Sequence, residues 1–234
     1  MEERWLRGIF ACGLSAEATS VRHALGQRGL RCRSVPSGRA LSAWTCATDR
    51  GVVAIVVSGR GISAAGRAAD FWMPRAPAVL CVGAATPTAA TADGAIVIDG
   101  DEQLGAAVAS AARRLGVTVA PGRVATVSET PVTETALLSL AAAGYAAIDG
   151  EGAAWHDAAR KSGAVMVSCQ GVVDEPQGAA AVAPAWGRAT RSPWVEALRL
   201  LSPPRRAAMR RGDATIAAAA AVAARCAVTA LIGS

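Results

Sequence analysis

"VVSGRGISAAG", residues 56–66, decides how the chain is read. A β-branched run over 52–57 leads into Gly59 and Gly61, and an Ala-rich helical pattern follows over 63–72. Strand, glycine turn and helix in that order form the repeating unit of sheets with helices on both faces. Gly59, Gly61 and Ala64 also fit the dinucleotide-binding spacing G-x-G-x-x-G/A. That fingerprint requires an acidic residue about 20 positions later, at the end of the next strand. The next strand, "PAVLCVGAAT" (77–86), holds no carboxylate. A nicotinamide-dependent oxidoreductase is therefore missing half of its signature, and the turn is expected to serve another ligand.

Working outward, strand and helix patterns alternate along most of the chain. "LRGIFACGL" (6–14) reads as a strand, and Ser15 is expected to cap the helix of 15–29, which has Glu17 in its first turn. "LRCRSV" (30–35) and "WTCAT" (44–48) read as a short pair before the buried strand 51–59. Strands follow at 78–83 and 94–99, then a helix at 101–116 and one or two strands within 117–128. A helix at 133–144, a strand at 145–150, a helix at 150–163 and the strand "AVMVSCQGVVD" (164–174) complete the pattern. The stretch 175–193 reads as loop, and 214–234 as an Ala-rich helix docked on the rest, too weakly hydrophobic to span a bilayer. The expected fold is one α/β domain over 1–234 with a mixed, mostly parallel sheet flanked by helices. Ligands in such sheets sit at the carboxyl ends of the strands.

Composition narrows the functional classes. The 234 residues are 52% hydrophobic and 18% charged, which excludes a disordered chain. The net charge of +6 comes from scattered arginines, so a basic solvated surface is expected rather than a nucleic-acid groove. The six cysteines form no C-x-x-C pair and no metal-site spacing. They read as reduced thiols, and with no leader pattern in "MEERWLRGIF" a cytoplasmic protein is expected. There is no H-E-x-x-H, no G-x-S-x-G and no P-loop, and the two histidines, His23 and His156, both fall on helix patterns. Neither a metal nor a cofactor is expected.

Four polar residues interrupt apolar runs at strand ends: Glu17, Ser58, Glu151 and Asp174. Taken singly, Glu17 and Glu151 are helix-dipole carboxylates worth about 0.3 to 1 kcal/mol, and Asp174 is a turn residue before Pro176. Their joint placement at strand ends points to a site.

With "GLSAEA" (13–18), "SGRGISAAG" (58–66), "CVGAAT" (81–86), "VATVS" (124–128), "AAIDGEGAA" (146–154) and "GVVD" (171–174), the chain resembles the nucleoside phosphorylase and nucleosidase superfamily. The opening and the stretch 124–152 are most similar to its hopanoid-associated branch. The resemblance implies cleavage of the N-ribosyl bond of a purine nucleoside, with adenine released from adenosylhopane or a similar 5′-substituted adenosine. It implies that Asp174 protonates the purine at N7, that Glu151 accepts hydrogen bonds from the ribosyl hydroxyls, and that Glu17 and Ser58 hold the attacking water. Gly59, Gly83 and Gly150 would line the substrate. Arg60 and Thr86 would hold phosphate if phosphate replaces water. Hydrolysis is the expected course, because "CVGAAT" lacks the Arg and Ser of a good phosphate cradle and an anion beside Glu17 is repelled.

Several motifs depart from the family pattern. Asp149, Gly150, Glu151 stand where a D/E-M-E is usual; Gly83 to Thr86 replace G-x-A-G; Asp93, Gly94 replace G-D; and Val173 precedes Asp174 where a Ser is usual. The alternative is thus a non-catalytic nucleoside-binding or scaffold member of the same fold. The partners expected are a nucleoside with water or phosphate; contact with membrane lipid and self-association stay open, and no nucleic acid is expected.

Overall fold

The computed structural model describes residues 6–88, 94–127, 134–173 and 203–233. Strand β1 (Gly8–Cys12) leads into helix α1 (Ser15–Gly26), followed by β2 (Cys32–Val35), β3 (Ser42–Thr48) and β4 (Gly51–Val57). Helix α2 (Ile62–Trp72) follows the glycine turn, then β5 (Ala78–Pro87), β6 (Ile96–Gly100) and α3 (Glu102–Arg114). The chain continues through β7 (Val119–Ala120), β8 (Arg123–Thr126), α4 (Glu134–Ala142), β9 (Tyr145–Asp149), α5 (Gly152–Ser162), β10 (Val165–Val172) and a long helix α6 (Pro203–Ile232).

The ten strands make one mixed sheet in the order β2-β3-β4-β1-β5-β10-β6-β7, with β9 joining β5 to β8. The central pairs β4–β1, β1–β5 and β5–β10 are parallel, whereas β2–β3, β3–β4, β10–β6 and β5–β9 are antiparallel. This is the expected mixed, mostly parallel α/β sheet. Its central strands read as unbroken apolar runs because both faces are covered. On one face, Val21 and Leu25 of α1, Val108 of α3 and Ala223, Ala227 and Leu231 of α6 pack on Phe10, Ile55 and Leu80. On the other, Ala65, Ala69 and Trp72 of α2 and Trp155 and Ala159 of α5 pack on Ile9, Val56 and Val79.

Three expectations are corrected. Ser15 is the first helical residue and Leu14 stands at the cap; the orphan N–H groups of Gly13 and Leu14 are bound by the Glu17 carboxylate instead. Strand β5 runs to Pro87, past the shorter span 78–83 and close to the longer 77–86, because its last residues pair with β10 and then with β9, Thr86 opposite Ile148. The apolar segment of α6, Ala214–Ile232, has a mean hydropathy of 1.9 and is long enough to cross a membrane. What decides its role is that 61% of it is buried in the protein, against α1, α3, β5 and β10.

That docking is tight at one place. A Cβ on Gly171 of β10 would lie 1.9 Å from the main-chain oxygen of Ala219 in α6. Backbone cannot step aside as a side-chain tip can, so Gly171→Ala is expected to cost about 3 kcal/mol. In thermal unfolding this is a fall of roughly 10 °C for a chain of this size. An unchanged melting temperature would show that α6 shifts freely on β10.

Candidate active site

The carboxyl ends of β1, β4 and the long β5 meet the carboxyl end of β9, and their turns carry the polar residues that the sequence marks. Glu17, one turn into α1, is 6% exposed and folds back over the end of β1. Its Oε2 accepts from the N–H of Gly13 at 2.8 Å and of Leu14 at 2.9 Å, and its Oε1 from the N–H of Ala84 at 3.1 Å. Glycine at position 83 makes this possible: a Cβ there would lie 2.6 Å from Glu17 Oε1. Burial pushes the Glu17 carboxyl up to about 7, and the charge of Glu151 adds to the rise. The N–H donors of Leu14 and Ala84, and the Arg60 guanidinium, hold it back only in part. A half-ionised carboxyl at neutral pH is what a general base for water needs.

Glu151, just after β9, is half-buried, and its Oε1 accepts from the N–H of Gly61 at 2.9 Å. Gly59 and Gly61 both adopt φ of 85°, a left-handed backbone that L side chains rarely take, and this aims the Gly61 N–H at the carboxylate. The glycine turn thus serves a carboxylate. A Cβ on Gly13 would stand 2.9 Å from the Glu151 carboxyl carbon, so Gly13 is the common floor of both acids. Burial raises the Glu151 carboxyl, while Gly61 and Arg60 oppose the rise. The charge of Arg60 thus acts on both carboxylates.

Ser58 is buried, and its Oγ lies 2.8 Å from the Gly59 carbonyl and 3.3 Å from that of Cys12. Its proton is committed to main chain, leaving the hydroxyl free only to accept. Thr86 Oγ1 is buried with no hydrogen-bond partner among the described residues. Among the described residues, its chain neighbours apart, no atom lies within 4 Å of where a Cβ of Gly150 would stand, so the side chain missing from the motif leaves open space there. Asp174 lies outside the described residues, as do Asp93 and the stretch 175–193.

Three further residues belong to the site. Asp149 is buried and accepts from Thr126 Oγ1 at 2.7 Å and from the Gly152 N–H at 3.2 Å, capping α5. Burial raises its carboxyl to about 6, against the hydrogen bond from Thr126. Gln170 is a buried amide within β10, and Trp155 closes the cavity from α5. The acid at 149 was in plain view beside Glu151, and an amide inside the apolar run "VMVSCQGVV" is the signal for Gln170. Together with Glu17, Glu151 and Gly83 these residues line a cavity of about 20 Å³, the room one water needs. Beyond Asp149 a larger hollow of about 420 Å³ opens between β8, β9, β10 and α5, lined by Thr126, Tyr145, His156 and Ser168. Among the described residues no group of three or more His, Cys, Asp or Glu side chains is placed to hold a metal ion.

No protein-family model matches the chain, and no curated protein matches it in sequence. Solved structures do. The native futalosine hydrolase of Helicobacter pylori superposes with a TM-score of 0.70 at 13% identity, over 97% of each chain. A mutant of the Helicobacter pylori nucleosidase MTAN, with 5′-methylthioadenosine in its active site, gives 0.64 at 13% identity over 73% of this chain and 85% of its own. The 5′-methylthioadenosine/S-adenosylhomocysteine nucleosidase of Colwellia psychrerythraea, in complex with adenine, gives 0.62 at 19% identity over 73% and 83%. The chain has the fold of these nucleosidases.

Proposed function

We propose that the protein hydrolyses the N-ribosyl bond of a purine nucleoside, releasing adenine. The observation that carries this reading is the pair of acids, buried Glu17 and half-buried Glu151, held over Gly13 by main-chain N–H groups at strand ends. Glu151 receives the ribosyl hydroxyls, and Asp174 gives a proton to the purine N7 as the bond to C1′ breaks. Water beside Glu17 adds to C1′ and passes its proton to the carboxylate, so bond making and breaking balance without a covalent intermediate. The fold shared with the nucleosidases supports the reaction class. Of substrates, we favour an adenosine with a large apolar 5′ substituent, as in hopanoid side-chain maturation. Leu41 and Ile62, 72% and 41% exposed, flank the glycine turn and suit such a group.

The test is adenine release from adenosines of increasing 5′ chain length, with and without phosphate, and identification of the sugar product. Free ribosyl product without phosphate is expected. A strict phosphate requirement with a 1-phosphate product would establish phosphorolysis and make Arg60 and Thr86 the anion ligands. Tight nucleoside binding without release would establish the non-catalytic alternative.

Glu151→Gln separates orientation from base binding. An amide keeps the shape but loses the charge that orders two hydroxyls, so turnover is expected to fall roughly 100-fold. Free adenine, which has no ribose, should bind as before in calorimetry. Joint loss of both would place Glu151 in the base pocket.

A further inference from the structure

Away from the carboxylates, Cys32 of β2 and Cys46 of β3 stand directly opposite each other in the antiparallel register. Both side chains face α1. Cys46 is buried in the core there and Cys32 packs at its margin, half-exposed, while the next pair, Arg33 and Thr45, points to the other face. Each thiol is close enough to bear on the ionisation of the other. Opposed residues of antiparallel strands have Cα atoms about 4.5 to 5.5 Å apart, inside the span of about 4.4 to 6.8 Å that a disulfide bridges. The other four cysteines are buried, so Cys32 is the thiol that a dissolved oxidant meets. β2 ends the sheet, which leaves this pair at its margin.

We propose that Cys32 and Cys46 are a redox-active dithiol that a hydroperoxide closes into a cross-strand disulfide. The Cys32 sulfur takes one oxygen as the O–O bond breaks, giving a sulfenic acid and an alcohol, or water from hydrogen peroxide. The Cys46 sulfur then attacks the Cys32 sulfur; the S–S bond forms, the S–O bond breaks, and the hydroxyl leaves as water with the Cys46 proton. The two thiols supply the two electrons that reduce the peroxide. Burial pushes both thiols up, Cys46 to about 12, whereas the neighbouring Cys46 and then Arg22, whose guanidinium lies 4.9 Å from the Trp44 ring centre, draw Cys32 back in part. Cys32 is accordingly the sulfur that meets peroxide first.

Hydrogen peroxide added to the purified protein, followed by thiol counting after denaturation and by intact mass, tests this. Two of the six thiols should disappear, the mass should fall by two hydrogens, and dithiothreitol should restore both. Digestion should yield one linked pair of peptides, joining Cys32 to Cys46. Cys32→Ser, at a half-exposed position that tolerates the change, should abolish the link, and Cys46→Ala should leave Cys32 as sulfenic or sulfinic acid. The proposal is overturned if all six thiols persist at a peroxide dose that closes a control dithiol peptide. A link between other cysteines, or loss of any two of the five remaining thiols in the Cys32→Ser variant, overturns it equally.

Discussion

Glu17→Gln is expected to lower adenine release by roughly 100 to 10,000-fold, the usual worth of a general base. The amide cannot take a proton from water, and its NH2 group would face the N–H of Ala84 that now donates to Oε1. The pH dependence adds a second signature. The wild-type rate should rise through about pH 7 as the carboxyl ionises, and this limb should vanish in the variant. Stability moves the other way. The folded protein holds the Glu17 proton more firmly than the unfolded chain, whose value is near 4.5, so the folded state loses stability as pH climbs from there to about 7. The loss is on the order of 3 kcal/mol at most, and Asp149, raised to about 6, adds to the same slope. Denaturant unfolding between pH 4 and 8 should show a shallower decline in the variant. A near-normal rate in the variant would remove Glu17 from the chemistry.

Asp174→Asn is expected to be as damaging to adenine release, again on the order of 100 to 10,000-fold. An amide has no proton to give to N7, and adenine is a poor leaving group while it carries the full charge of the broken bond. The substitution discriminates through its substrate. A riboside whose aglycone leaves without protonation, such as p-nitrophenyl riboside, should be cleaved by the variant at close to the wild-type rate. Equal loss on both substrates, or near-normal adenine release, would deny Asp174 the role of acid.

Much of this was legible in the sequence where physical signals are local. The β-branched run before Gly59 gave strand, turn and helix, and the short glycine-flanked apolar runs of β1 and β4 became strands that are largely buried. Less legible was whatever depends on the approach of distant segments. Glu17 looks like a first-turn carboxylate with a modest dipole role, and only the arrival of Ala84 over it reveals burial and a displaced titration. Gly13 and Gly83 are glycine because carboxylates from elsewhere in the chain occupy the space of their side chains. The sequence marks the end of β5 only as the continuation of an apolar run; its partners, β10 opposite Ala84 and Ala85 and β9 opposite Thr86 and Pro87, come from distant parts of the chain.

That second half of β5 also fixes when the site comes into being. Its backbone holds Glu17 through Ala84, receives the N–H of Val173 at the Ala85 carbonyl, and pairs Thr86 with Ile148. Each link joins segments far apart along the chain, and such pairings close late because the intervening loops must be ordered first. The carboxylate pair is therefore a product of completed folding, and regain of nucleoside binding during refolding should coincide with the slowest structural phase. Fragments that fold early, such as β1 with α1, would hold their share of the residues and none of the activity.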